Sequence, residues 1–122
     1  MILVDSSVWV DHFRTADETL VELLSSGQVL VHPFVVGELA LGNLRQREVV
    51  LASLRDLPPA IVATNREVLH FIGRHQLFGR GIGYVDAHLL AAVRLTIGTS
   101  LWTRDRRLLG VAGNLGLAFN IP

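Results

Sequence analysis

Short apolar runs alternate along this chain with segments of helical periodicity. Strands covered on both faces read as continuous apolar runs, so the alternation predicts an α/β fold with a central parallel sheet flanked by helices. Met1–Asp5, Gln28–His32, Ala60–Ala63 and Thr99–Thr103 are the expected strands, with Leu117–Asn120 as a fifth. Thr15-Ala16-Asp17-Glu18 has the form of a capping box, Thr at N-cap and Glu at N3, and opens a helix that turns Leu20, Leu23 and Leu24 inward and stops near Gly27. Pro33 suits a first helical turn, which predicts a helix over Phe34–Leu41, followed across Gly42-Asn43 by another from about Leu44 to Leu54. Pro58-Pro59 closes that unit. Thr64-Asn65-Arg66-Glu67 repeats the capping box and starts a helix whose apolar members are Val68, Leu69, Ile72 and Leu77. Gly79-Arg80-Gly81-Ile82-Gly83 is too rich in glycine for a regular element and predicts a loop. Behind it a helix is expected over Tyr84–Ile97, with Asp86, Leu90, Val93 and Ile97 on one face, and a short helix over Asp105–Leu109. No repeat, low-complexity tract or linker divides the chain, so residues 1–122 are expected to form one domain.

Four acids break this apolar pattern. Asp5, Glu38, Asp86 and Asp105 interrupt or end the segments Ile2-Leu3-Val4-Asp5, Val35-Val36-Gly37-Glu38-Leu39, Tyr84-Val85-Asp86-Ala87 and Leu101-Trp102-Thr103-Arg104-Asp105. Desolvating an unpaired carboxylate costs several kcal/mol or more, so acids beside core residues need a cation, hydrogen bonds or a proton. In open α/β sheets the functional crevice lies beyond the carboxyl ends of the strands. Asp5 and Asp105 follow expected strands, Asp86 opens a helix behind the glycine loop, and Glu38 lies one turn beyond Pro33. All four could therefore meet at one end of the sheet, where Mg²⁺ or Mn²⁺ would offset their repulsion. Singly, each has a plainer explanation: Asp5 and Asp105 as helix caps, Asp86 as a partner of the helix dipole, Glu38 as a solvated side chain. The remaining acids lie in polar or capping contexts.

Composition narrows the chemistry. The chain has 122 residues and no cysteine, which excludes thiolate catalysis, zinc-thiolate sites and iron–sulfur clusters, and fits a reducing cytoplasm. No basic leader precedes Ile2, and no apolar stretch reaches the roughly 20 residues a bilayer crossing requires, so a soluble intracellular protein without a membrane role is expected. Eleven basic and eleven acidic residues cancel, and any nucleic acid must be held locally. All of the basic residues are arginine, which removes every lysine mechanism and leaves bidentate phosphate contacts. Arg14, Arg80, Arg104 and Arg106 are candidates for such contacts. Of the five histidines only His70 and His75 lie close in sequence, which gives little basis for a zinc site.

The opening Met1-Ile2-Leu3-Val4-Asp5-Ser6-Ser7-Val8-Trp9-Val10-Asp11, the segment Gly37-Glu38-Leu39, the block Ile82-Gly83-Tyr84-Val85-Asp86-Ala87-His88-Leu89-Leu90-Ala91-Ala92 and the strand end Leu101-Trp102-Thr103-Arg104-Asp105 together resemble a PIN-domain ribonuclease, specifically a stand-alone toxin of the VapC type. The resemblance spans almost the whole chain in the family's order. It implies metal ligation by Asp5 and Asp86, with Glu38 and Asp105 completing an acidic quartet, and hydrolysis of RNA phosphodiester bonds by metal-activated water. It also implies a cognate antitoxin and a homodimer.

Ser7, Thr103 and Arg104 are further candidates for orienting a water or a phosphate oxygen. Leu20, Leu23, Val49, Val50 and Leu51 could leave an apolar groove for an antitoxin segment, and core packing explains them equally well. Trp9 and Trp102 could stack on bases, although tryptophans in apolar sequence are more often core. Two rival readings remain. A receiver-like or phosphoryl-transfer domain would want another acid beside Asp5, where Ser6 and Ser7 stand, and a later lysine. A non-catalytic binding module would need the four acids to be dispersed.

Overall fold

The computed structural model describes residues 1–120. At its centre lies β1 (Ile2–Val4), paired in parallel with β2 (Val29–Leu30) on one side and β3 (Ser100–Trp102) on the other, in the order β2-β1-β3. Leu3 stands opposite Leu30 and Leu101, and Val4 opposite Trp102. Except for half-buried Ser100, every strand residue is buried, as apolar runs covered on both faces require. The chain leaves β1 toward one edge of the sheet and returns to the other. The carboxyl end of β1 is thus a topological switch point, the place where an open parallel sheet leaves a crevice.

The parallel α/β architecture agrees with the hydrophobic pattern, whereas the outer strands contract. Ala60–Ala63 is not a strand: a single parallel bridge, Val31 to Pro59, stands there. Pro58 and Pro59 lack the N–H groups a ladder needs, so Val31 donates to the Pro58 carbonyl and only Ala60 donates back. At the other edge Leu117–Asn120 reduces to one parallel bridge between Leu101 and Ala118. The sheet is therefore three strands wide, with a one-residue bridge at either edge.

Seven helices surround it among the described residues: α1 (Ser6–Arg14), α2 (Glu18–Ser25), α3 (Pro33–Ala40), α4 (Arg47–Arg55), α5 (Asn65–Arg74), α6 (Tyr84–Leu95) and α7 (Arg106–Asn114). The Thr64 capping box is present as expected. That expected at Thr15 is not, because Thr15 terminates α1 by donating its N–H to the Asp11 carbonyl. Asp17 caps α2 instead, accepting from the Leu20 N–H at 3.0 Å. The helix expected from Leu44 begins at Arg47, behind Gln46 in a left-handed conformation. Helix α6 stops at Leu95, so Ile97 lies outside the apolar stripe and is exposed, while Leu90 and Val93 are buried. Helix α7 extends five residues past Leu109, to Asn114, burying Leu108, Val111 and Ala112. On α5, Leu69 is exposed and Phe71 takes the inward position. No helix among the described residues is long and apolar enough to cross a membrane.

Trp9 and Trp102 are buried in the core with Leu3, Leu89, Leu90 and Leu101, not displayed for bases. Leu20 and Leu51 are likewise core residues, whereas Val49 is exposed. The groove that does exist lies between α1, α3 and α4, holds about 740 Å³, and is lined by Val10, Phe13, Leu44 and Val50, with Arg14, Arg45 and Glu38 at its polar margin.

Candidate metal centre

Asp5 is the residue immediately beyond β1, and its backbone N–H continues the ladder by donating to the Trp102 carbonyl at 2.9 Å. It precedes α1 without using its side chain as a cap. Instead its Oδ2 accepts two hydroxyl hydrogen bonds, from Ser7 at 2.7 Å and from Thr103 at 2.8 Å. Each hydroxyl also accepts a backbone N–H, Arg104 on Ser7 Oγ and Asp105 on Thr103 Oγ1. The turn after β3 is thereby fastened to the turn after β1, with the Asp5 carboxylate, 5% exposed, at the crossing. Both hydroxyl protons point at Asp5. Ser7 and Thr103 accordingly orient the carboxylate in this structure, in place of the water or phosphate contact expected for them.

Removing the Thr103 hydroxyl should be costly. Thr103→Val keeps the shape but leaves the Asp105 N–H unpaired and Asp5 short of a donor, so a loss of about 1–3 kcal/mol in denaturant unfolding is expected. An unchanged midpoint would show that the bridge is dispensable.

The other three acids approach from different elements. Asp86, in the first turn of α6, accepts the Gly83 N–H on Oδ2 at 2.9 Å. Asp105 caps α7, accepting the Leu108 N–H on Oδ1 at 3.0 Å. Glu38, on α3, accepts from Ser6 Oγ on Oε1 at 3.3 Å. In each of the four, one carboxylate oxygen is held by the protein, and the other takes no hydrogen bond among the described residues. The capping explanation therefore holds for one oxygen of Asp105 and fails for Asp5, while Asp86, expected only to favour the helix dipole, caps with one oxygen and leaves the second free.

Electrostatics tie the four together. Partial desolvation at the groove margin raises the Glu38 pKa although the residue is exposed, and the charges of Asp5 and then Asp86 raise it further against the opposing Ser6 hydrogen bond. Burial also raises that of Asp86, opposed by the Gly83 hydrogen bond and reinforced by Asp5 and Asp105. The acids are thus not dispersed. Asp5 acts on both Glu38 and Asp86, and Asp105 on Asp86, although among the described residues no three Asp, Glu or His side chains stand close enough to hold an ion together. An all-oxygen donor set is the chemistry that suits a hard cation.

Arg104 is a correction. Its guanidinium is engaged by Asp11 at 2.7 Å and Asp17 at 2.6 Å, and it straps α1 and the start of α2 to the end of β3. It is not free for phosphate. Sequence reasoning passed over Arg107, whose side chain lies against Gly81 so closely that a Cβ there would come within 2.9 Å of it. His32 and His88, among the histidines that offered little basis for a zinc site, are both buried. His32 caps α3 by accepting the Phe34 N–H on Nδ1, and burial holds its pKa down to about 4. His88 shares Asn65 Oδ1 with the Tyr84 hydroxyl. Neither histidine joins the acids.

The PIN-domain family model matches residues 2–114 of this chain. The chain belongs to the PIN-domain family. It is 52% identical over 118 residues to Ribonuclease VapC32 of Mycobacterium tuberculosis, in two strains, with 97% of this chain and 95% of that protein covered. The crystal structure of FitAcB from Neisseria gonorrhoeae aligns with a TM-score of 0.65 at 22% identity, over 98% of this chain and 97% of that one. The latter likeness is one of fold. The former bears out the resemblance to the VapC type drawn from the four sequence blocks.

Proposed function

We propose that this PIN domain is a Mg²⁺-dependent endoribonuclease that serves as the toxin of a toxin–antitoxin pair in the cytoplasm. The observation that carries the reading is Asp5, a nearly buried carboxylate aimed by two hydroxyls at the switch point of the sheet, with Glu38 and Asp86 close enough to feel its charge. The name of the mycobacterial relative supports ribonuclease activity and the VapC type. Asp5 and Asp86 are the principal ligands, Glu38 joins them, and Asp105 completes the set. When bound, the divalent ion supplies a water acidic enough to attack phosphorus at neutral pH and offsets charge on the phosphoryl oxygens. Ser7 and Thr103 hold Asp5 in one orientation, and Gly83 holds Asp86, so both ligands are preorganised. Mn²⁺ substitutes for Mg²⁺ in the same oxygen set. The groove beside Glu38, apolar with a charged margin, suits a segment of the cognate antitoxin, and the toxin itself acts as a homodimer.

The test is incubation of purified protein with total RNA and Mg²⁺, followed by mapping of the new ends. Products bearing 5′-phosphate are expected, with no cleavage in EDTA. Ends carrying 2′,3′-cyclic phosphate, or cleavage that persists in chelator, would overturn the mechanism.

A further inference from the structure

Away from the four acids, α5 and α6 enclose a cavity of about 390 Å³ whose charge is of the opposite sign. Arg66, His70 and Arg74 line it from α5 at positions i, i+4 and i+8, and Arg94 lines it from α6. Phe71, Ala91 and Leu95 give it an apolar floor. All three arginines are exposed, and the ion pairs among the described residues both belong to Arg104. Glu67, the acid in the lining, is occupied at the helix start, accepting the Thr64 N–H at 2.9 Å. Glu67 keeps its charge there, so the lining sets three arginines against one carboxylate, with none of the three in an ion pair among the described residues. Neighbouring His75 registers the positive excess: burial lowers its pKa, and Arg94, Arg74 and His70 lower it further.

The row has a direction and a repeat. Helix α5 begins beside the start of α6, where Asn65 Oδ1 meets both the Tyr84 hydroxyl and His88 Nε2 at 3.1 Å. Arg66 therefore lies toward the end of α6 that carries Asp86, and the row leads away from it. Successive members are four residues apart, about 6 Å along the helix axis, a step comparable to that between phosphates of an extended strand. A cationic track over an apolar floor is the arrangement that holds unpaired nucleotides.

We propose that the α5–α6 cavity is an exosite for single-stranded RNA, with Arg66, Arg74 and Arg94 on phosphates of one strand and the floor against an unpaired base. The proposal rests on the ribonuclease reading for its biological meaning, yet its test separates the two. Binding of a fluorescent 12-nucleotide RNA is followed by anisotropy in EDTA across a salt series, for the wild type and for Arg66→Gln/Arg74→Gln/Arg94→Gln, alongside a poly-glutamate peptide. The exposed substitutions should leave the thermal midpoint in place. The variant should bind RNA about 10- to 100-fold more weakly at low salt, with a log–log salt slope smaller by about 2, since about 0.7 counterion is released per single-strand phosphate contact. With Mg²⁺, cleavage of long RNA should show a raised KM and an unchanged kcat. Unchanged affinity and slope would overturn the exosite while leaving the nuclease intact, as would loss of peptide binding alone. RNA binding that depends on the three arginines, in a protein that cleaves no RNA, would retire the nuclease reading and keep the exosite.

Discussion

Asp5→Asn is expected to lower Mg²⁺-dependent RNA cleavage by about a thousandfold, equivalent to about 4 kcal/mol of transition-state stabilisation, without unfolding the protein. The substitution is nearly isosteric. An amide oxygen at the position of Oδ2 still accepts from Ser7 and Thr103, so the fastening between the two turns survives. What disappears is the negative charge, and with it the anchor for a cation. Loss of that charge also relieves the repulsion felt by Glu38 and Asp86, so the metal-free variant should melt no lower than the metal-free wild type. Activity measured beside a melting curve makes the distinction: a destabilised, inactive variant would indicate a structural role, and undiminished cleavage would remove Asp5 from the chemistry.

The importance of Asp5 was legible in sequence because its neighbours are so apolar. Ile2-Leu3-Val4 can only be a buried strand, and the acid that ends it must lie at the strand's carboxyl edge. Asp86 was legible for a related reason, at the head of a helix whose residues 87–93 are all buried. Glu38 was harder. Its helix reads as apolar, yet its side chain is exposed at the margin of a groove, and its approach to the other acids depends on how α3 packs beside β1. The roles of Thr103 and Arg104 were not legible, because each is decided by partners about 90 or more residues distant, whereas Ser7 meets Asp5 only two residues away. Arg104 looks like a phosphate ligand until Asp11 and Asp17 are seen to claim both of its terminal nitrogens. Local competition explains the smaller differences: Thr15 was already used to end α1, and two prolines limited the edge of the sheet to one bridge.

The second large effect is a metal-dependent stabilisation that fades in acid. At an ion concentration about a hundredfold above its dissociation constant, binding to the native state alone adds about 2.7 kcal/mol, which in a domain of this size raises the thermal midpoint by about 10 °C. Its pH dependence follows from the raised pKa values of Glu38 and Asp86. A group whose pKa is higher folded than unfolded favours the folded state below its unfolded value and loses that contribution as pH rises through the folded value. Without metal, then, these two acids favour the native state less at neutral pH than in acid. Above their raised values both are ionised, and a cation then has the full charge of the acids to offset. As pH falls through their raised values, protons replace the cation and the midpoint shift should shrink toward zero. Other groups change stability over the same range in the opposite sense. His32 is held neutral by burial, with its pKa down to about 4, and Asp17 is held ionised by the Leu20 N–H and Arg104. Both make the fold less stable in acid whether or not an ion is present. The quantity to measure is therefore the difference between paired melts with Mg²⁺ or Mn²⁺ and with EDTA, from pH 4 to 8. In Asp5→Asn the difference should be small throughout. If the wild-type shift is the same at pH 4.5 as at pH 7.5, or absent at both, the ion does not bind at these acids.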